Sequence, residues 1–481
     1  MPLILSGNVA SATAGAYEVA NSCRFNDGDS AYMTTTGLST PTSKRAATFS
    51  FWIKRGNLGI NTAFFGGESD SNDYGQIGFD SSDNLQCYIE INGSTELNLV
   101  TSAVYRDPSA WMHIALIIDG SQGTAANRAK LYVNGTQVTS FGTSDYMSQN
   151  TDLAFLETHL PANAFIGVRK QGGSLSRYFD GYIAEAVYLD GTIAAIGDLG
   201  EFDSDSPTIW KPKNVSGLTF GNNGFYLDFE DSGDLDDDES GNGNDFTASN
   251  LAATDQCTDS PTNNWCVISP LTTTNSRWTI SEGNCKLANN QSGWSPATAT
   301  IGVTSGKWYC EVKCTAVGDA SVYGIMDFAQ YDDGILQMSV YSRAWIYRAA
   351  TGYYHNNDAY GAGTSYGDSF TTNDIIGIYL DLDNNKVYWA KNGTLQNSGT
   401  GISITDGYDY TFVFNMYNSG GDATTYNVSE VNFGNPTWSL SSAVADANGY
   451  GSFEYNPSSG TFDSASKDFY ALCTKNLAEF G

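Results

Sequence analysis

The chain has 481 residues, 53 acidic against 23 basic, for a net charge of −30. That balance repels phosphate backbones and anionic bilayer surfaces, so neither nucleic-acid binding nor membrane insertion is expected. Charged residues are only 16%, hydrophobic 41% and aromatic 13%, which excludes a disordered tail; with Asn, Ser, Thr and Gly filling the rest, the profile is all-β, with short strands and many turns.

Residues 1–22 are small and weakly patterned and read as an N-terminal arm. They lack a basic n-region and an apolar run of about 7 residues, and no segment approaches the roughly 18 apolar residues of a membrane span, so synthesis in the cytosol is expected. A first domain is expected over residues 23–195. In "AATFSFWIKRG", Phe49, Phe51 and Ile53 alternate against Ser50, Trp52 and Lys54. "AWMHIALIID" is nearly continuous apolar, as a buried sandwich strand would be. "AKLYVNGTQV" is a hairpin turning at Asn134-Gly135, a pair that accepts the positive φ angles of a type I′ turn. A strand over Tyr182–Leu189 closes the region.

Between 196 and 270 the texture changes: Pro207, Pro212, Pro261 and Pro270 appear, and an acidic run extends from Asp228 to Asp245. This reads as an inter-domain segment whose "GFYLDF" adds a strand or two to a neighbouring sheet. Asp234, Asp236, Asp238, Asn242, Asn244 and Asp245 offer oxygen ligands for calcium on a Gly-containing loop, though not at EF-hand spacing. The alternative, a solvated and self-repelling linker, is favoured, because charge runs usually are that.

A second domain is expected over 271–437, with "GKWYCEVKC" alternating cleanly, then "NDIIGIYLDLDNNKVYWAKNGTL", "YTFVFNMY" and "VSEVNFG"; residues 438–481 are a looser, aromatic extension. The Asn-Gly-Thr hairpin at 134–136 recurs at 392–394, which points to two β-sandwiches in series. No longer repeat supports a solenoid or propeller. None of the eight cysteines forms a CxxC pair. Cys310 and Cys314 share a strand face but sit about 13 Å apart, too far for a disulfide. The cysteines read as small buried residues of a reducing compartment, and three histidines without clustered thiols argue against zinc.

The stretches "FSFWIKRG", "AWMHIALIIDG", "KLYVNGTQV" and "RYFDGYIAEAVYLDG" together resemble the concanavalin A-like, laminin-G-type lectin domain. "IGVTSGKWYCEV", "SYGDSFTTNDIIGIYLDLDNNKVYWAKNG" and "VNFG" resemble a SPRY domain, with Asn373 where Gly is usual. Both imply antiparallel jelly-roll sandwiches. The order of the two, joined by "DESGNGNDFT" and ending in "ALCTKNL", resembles structural proteins of tailed bacteriophages, marine ones in particular. That resemblance implies a tail-fibre, appendage or decoration component in the virion, made in the cytoplasm of a bacterial host.

Concanavalin-like hydrolases resemble one another in an E-x-D-x-x-E strand, whose alternation turns three carboxylates to one face; retention needs two of them about 5 Å apart. "EFDSDS" from Glu201 has Ser206 in the last place and Pro207 after it, and "EDSGDLDDDE" is Gly-interrupted. His113, His159 and His355 are the only histidines, and His113, in an apolar strand, reads as structural. No G-x-S-x-G and no phosphate-cradling Gly loop occurs. No catalytic residues are therefore assigned.

Residues 341–368 gather seven aromatics among polar neighbours. Such rings stack on sugar C–H faces. Trp345 and Tyr347 alternate as core residues would, and the SPRY resemblance makes Tyr366 and Gly367 structural. That leaves Tyr353, Tyr354, His355 and Tyr360 as loop-exposed ligand contacts. The expectation is a non-enzymatic virion protein that contacts other virion proteins and a host surface glycan or receptor. A capsid decoration protein docked through its arm is the alternative, and a glycan hydrolase or lyase the remote one. No heptads supply a stalk; a homo-oligomer, a trimer by analogy with fibre proteins, is expected.

Overall fold

The computed structural model describes residues 17–272, 277–289, 293–317, 320–331, 337–358, 361–418, 427–463 and 467–481. They form two compact units, the described parts of Thr13–Thr262 and of Asn263–Gly481. Each is an antiparallel β-sandwich, as the alternation and turn spacing predict. Among the described residues no helix is long and apolar enough to cross a membrane.

In the first unit, one sheet runs Thr136–Gln137, Ala129–Val133, Met112–Asp119, Ala46–Arg55, Gly181–Asp190, Ser22–Phe25, Gln256–Cys257, with Phe225–Leu227 also paired to Gly181–Asp190. The facing sheet runs Phe141–Asp145, Ser94–Val104, Asn84–Ile91, Asp73–Phe79, Thr62–Asp70, Asn163–Ile166, Tyr32–Thr36, Thr247–Ser249. Phe49, Phe51 and Ile53 enter the core between them, where Phe49 and Phe51 each lie 5.3 Å, ring to ring, from Phe65. The alternate set is buried too. Trp52 packs with Trp111, Tyr182 and Trp210 on the other face of the sheet, and Lys54, 1% exposed, pairs with Asp259 at 2.7 Å.

That second burial corrects the expected inter-domain segment. Residues 196–262 belong to the first unit. They supply strands to both sheets, pairing Phe225–Leu227 with Gly181–Asp190, Thr247–Ser249 with Tyr32–Thr36, and Gln256–Cys257 with Ser22–Phe25. The acidic run is interrupted by Phe229 and Leu235 and flanked by Phe225, Leu227 and Phe246, and all five reach the main core. Charge density dominated the sequence reading, whereas apolar spacing governs the fold. The arm is corrected in part: Tyr17 bonds Glu185 and Val19 bonds Thr262, so residues 17–22 are part of the sandwich, while 1–16 lie outside the described residues.

The second unit repeats the plan. Its larger sheet runs Trp278–Ser281, Lys286–Asn289, Asn427–Asn432, Lys307–Ala316, Ile375–Asp381, Lys386–Lys391, Thr394–Leu395; the smaller runs Gly293–Thr298, Tyr410–Asn418, Ala320–Asp327, Ala344–Arg348, Tyr353–His355, Thr364–Ser365. Trp308, Cys310, Val312 and Cys314 face the core, and Tyr309 points the opposite way. The extension 438–481 covers that opposite face, laying Phe453, Phe462 and Phe469 against Tyr309, Tyr379 and Tyr388. All eight cysteines are buried, and none is in a disulfide.

The two Asn-Gly turns are built alike. Asn134 and Gly135 have φ of 47° and 71°, Asn392 and Gly393 of 48° and 75°, the type I′ signature. Asn134 Oδ1 accepts the backbone N–H of His113 at 2.8 Å, and Asn392 Oδ1 that of Ile375 at 2.8 Å. Each glycine also sits under an aromatic of the covering segment: a Cβ would lie 2.2 Å from the Trp210 ring at Gly135 and 2.5 Å from the Tyr455 ring at Gly393.

Gly135→Ala therefore meets both left-handed backbone strain and Trp210, and is expected to cost about 2–4 kcal/mol in chemical denaturation. A cost within error of zero would contradict the turn geometry. Residues 23–195 alone, which lose three strands of the two main sheets and the cover over Trp52, are expected to show no cooperative melt by circular dichroism, whereas 17–262 melts cooperatively. A matching melt for the shorter fragment would refute the role given to the acidic segment.

Candidate functional site

Residues 353–355 are not an exposed loop. Tyr353–His355 is a strand paired in register with Ala344–Arg348, His355 opposite Ile346 and Tyr354 opposite Tyr347. His355 is 1% exposed, with Nδ1 2.8 Å from Asp358 Oδ2. Tyr354 is half-buried and turns its ring to Tyr366, 6.3 Å away. Tyr353, also half-buried, lies on the other face. Tyr360 lies outside the described residues. Trp345, Tyr347 and Tyr366 are core, as expected. Gly352 and the flanking asparagines gave the segment a loop-like appearance, but strand pairing overrides that local signal.

The acidic loop is organised by its own hydrogen bonds. The Asp238 carboxylate accepts the backbone N–H groups of Tyr226, Ser240 and Asn244, each at 2.9 Å, and the Ser240 hydroxyl at 2.7 Å. Asp236 takes the N–H of Ala248 and Asp245 that of Asp238. Asn242 and Asn244 present side-chain N–H groups, not oxygens, to the carbonyls of Gly221, Asn222 and Gly224. Asp234 hydrogen-bonds Asp236, which raises its pKa. Among the described residues no three His, Cys, Asp or Glu side chains are gathered as metal ligands would be.

The groups with catalytic potential are engaged elsewhere. Glu201 and Asp203 share Lys211, at 3.6 and 3.4 Å. His113 is fully buried; the Trp210 indole N–H donates to its Nδ1 at 3.1 Å, so the proton sits on Nε2 and is directed to Ser50 Oγ at 2.8 Å. Burial pulls its pKa down to about 3. Imidazole and serine are thus oriented the wrong way round for base-assisted attack.

The structure instead assembles a polar site from residues far apart in sequence. On the sheet of Asp73–Phe79 and Asn84–Ile91, Ile77, Leu85 and Cys87 face the core, so Tyr74, Gln76, Gln86 and Tyr88 face outward. A hairpin of Arg169–Gln171 and Ser174–Ser176 stands beside them. Tyr74, Gln76, Gln86, Tyr88, Arg169 and Arg177 line a depression of about 140 Å³. The tyrosine rings lie 5.6 Å apart, and the Arg169 guanidinium lies 5.5 Å from the Tyr74 ring. Gln76 donates to Gln86 at 3.2 Å, leaving its Oε1, in a side chain 2% exposed, without a partner. Arg177 holds φ at 61°. Burial lowers the pKa of both arginines, and at Arg169 the charge of Arg177 adds to it. Lys170 next door is paired with Glu68 at 3.4 Å, but among the described residues neither arginine has a carboxylate at ion-pair distance. Their nearest sequence signal was three cations, Arg169, Lys170 and Arg177, around "QGGSLS" in an acidic chain; only the tertiary packing of this hairpin beside the sheet brings them to Tyr74 and Tyr88.

Residues 27–194 match the Laminin_G_3 family, described as the concanavalin A-like lectin/glucanases superfamily. Curated relatives include the ATP-dependent RNA helicase DDX1 of Xenopus laevis, 33% identical over 113 residues, 24% of this chain and 14% of that protein. Ran-binding protein 9 of Danio rerio is 30% identical over 162 residues, 32% of this chain and 25% of that protein. The chain thus spans a quarter or less of the length of these relatives. Similar solved structures include the SPRY domain of human HERC1, with 19% identity and a TM-score of 0.28 over 34% of this chain and 96% of that one. A heptameric SAP-like pentraxin from Limulus polyphemus shows 15% identity and a TM-score of 0.28 over 37% and 80%. The first unit is concanavalin A-like and laminin-G-like.

Glu185 gives the first sandwich a pH dependence. It sits at the register shift between Ala184 and Val187, 4% exposed, and accepts the hydroxyls of Tyr226 at 2.9 Å and Tyr17 at 3.2 Å. Burial, opposed by those two bonds, pushes its pKa up from 4.5 to about 7. A raised carboxyl contributes stability that is complete below its unfolded pKa and is lost as pH rises through the folded value. The unfolding free energy of wild type relative to Glu185→Gln is therefore expected to fall by on the order of 3 kcal/mol between pH 4.5 and 7. Parallel curves for the two proteins would contradict the assignment.

Proposed function

We propose that this chain is a non-enzymatic structural protein of a tailed-phage particle, in a tail fibre or tail-associated appendage, and that its first sandwich binds a glycan of the host surface. The observation that carries the binding part is the outward depression of adjacent tyrosine rings, two arginines with no carboxylate partner among the described residues and the unsatisfied Gln76 carbonyl. Concave sites with aromatic walls and a few convergent polar groups are what small-molecule and saccharide recognition requires. The buried, neutral state of His113 and the ion pairing of Asp203 with Lys211 support binding over hydrolysis. The phage setting is supported by the order of the two sandwiches and the "DESGNGNDFT" and "ALCTKNL" motifs. Its partners in this reading are other virion proteins, and its own copies in a trimer.

Immunogold electron microscopy of intact particles, with antibody to the recombinant chain, is expected to label the tail. Label over the head would replace the tail assignment with capsid decoration. Absence of the chain's peptides from mass spectra of purified particles would overturn the virion assignment itself. The purified chain is expected to bind host cells or their extracted polysaccharide, and failure to bind either would overturn the adhesin part.

A further inference from the structure

We infer that the depression formed by Tyr74, Gln76, Tyr88, Arg169 and Arg177 takes an anionic saccharide, a hydroxylated ring bearing a carboxylate or a sulfate ester. This rests on the glycan-binding reading and names the class of glycan.

The charge pattern is the first reason. The chain has 53 acidic residues for 23 basic ones, so a cation easily finds a carboxylate. Lys44, Arg45, Lys54, Arg55, Arg106 and Lys170 all do. Arg169 and Arg177 do not: Arg169 reaches only the Ser176 hydroxyl, at 3.1 Å, and its Nε is buried without a partner. Two guanidinium groups held together, half-buried and with no carboxylate at ion-pair distance among the described residues, leave room for the counter-ion of a ligand. Their planar forks match the oxygens of a carboxylate or a sulfate.

The second reason is Gln76. Its amide nitrogen is fixed by Gln86, which in turn donates to Asn98 at 3.4 Å, so the carbonyl oxygen is the free end of an ordered chain. A buried acceptor without a donor carries a desolvation penalty, which a ligand hydroxyl relieves. An acceptor beside two anion-binding donors selects a molecule with both a negative group and hydroxyls. Tyr74 and Tyr88 supply the apolar surface for the ring's C–H face. The positive φ of Arg177 is backbone strain of the kind that persists where surrounding structure holds a side chain in place for binding.

The test compares, by isothermal titration calorimetry on the full chain, a tetramer of galacturonic acid, a sulfated galactan tetramer, a neutral galactose tetramer and sodium sulfate. At least one acidic tetramer is expected to bind roughly ten- to a hundredfold more tightly than the neutral one, and the stronger of the two identifies carboxylate or sulfate ester as the anion. Arg177→Gln and Arg169→Gln, each checked for an unchanged melting temperature, are expected to remove most of that preference, with Arg169→Lys intermediate. The comparison between acidic and neutral sugars uses the wild-type chain and does not depend on how the variants fold. Equal affinity for acidic and neutral sugars would overturn the inference and leave the glycan-binding reading standing. Sodium sulfate binding as tightly as either acidic tetramer would overturn the saccharide part. Binding to host cells with no affinity for any of the tetramers would overturn the inference and move recognition to another surface.

Discussion

In each sandwich one sheet is covered on both faces, and the rest of the structure depends on that double burial. A sheet can bury its second face only if a further segment supplies apolar cover and satisfies the polar groups trapped beneath it. In the first unit that segment is 191–262. It is clamped by Asp259, which holds Lys54 with one oxygen and the Trp111 indole with the other, each at 2.7 Å. A buried ion pair repays its desolvation only when its remaining hydrogen-bonding capacity is met, and the Trp111 bond does that for Asp259. In the second unit the segment is 438–481. There Glu311, fully buried, accepts the backbone N–H groups of Glu454 and Tyr455 at 3.0 and 2.8 Å.

This arrangement decides where recognition can occur. In the first unit, the sheet containing the Asn-Gly hairpin has no free face, and the polar side chains on its outer side, Ser50, His113 and Lys54, are consumed in holding the cover. The opposite sheet keeps an open outward face at Gln86 and Tyr88, and the hairpin of residues 169–176 turns part of that face into a walled depression. In the second unit the aromatic segment that looks most like a binding loop is spent on structure. His355 pairs with Asp358, and Tyr347 and Tyr366 stack around Trp389 at 5.7 and 5.2 Å.

Electrostatics divide the same way. Most of the excess negative charge serves local backbone geometry: Asp80, Asp107, Asp119 and Asp203 each accept backbone N–H groups a few residues further on. Such Asx turns order loops at small cost where the carboxylate stays partly hydrated, and the buried Asp203 is in addition paired with Lys211. Against that background Arg169 and Arg177 have no carboxylate at ion-pair distance among the described residues, and unlike Arg128, whose guanidinium is taken up by the carbonyls of Gln122, Gly123 and Met147, they line an open depression.

Much of the fold was legible in the sequence because its determinants are local. Alternation at 49–54 and 307–314 put the right residues in the core, and Asn134-Gly135 and Asn392-Gly393 announced type I′ turns through a backbone preference carried by two residues. The role of 196–262 was not legible, because its charges are contiguous while Leu235 and Phe246, which anchor it, are scattered. Around His355 the Gly and Asn neighbours carry a loop signal that hairpin pairing with Ala344–Arg348 and packing of that hairpin into the smaller sheet override. The sequence by itself determined the strand periods, the turns and thereby two sandwiches. Only the tertiary structure decided which polar residues are buried as fasteners and which are left open, because that depends on which segment covers which face. Tyr74 and Tyr88 meet Arg169 and Arg177 where the hairpin of residues 169–176 packs beside their sheet, about ninety residues further along the chain, a distance over which no local pattern carries information.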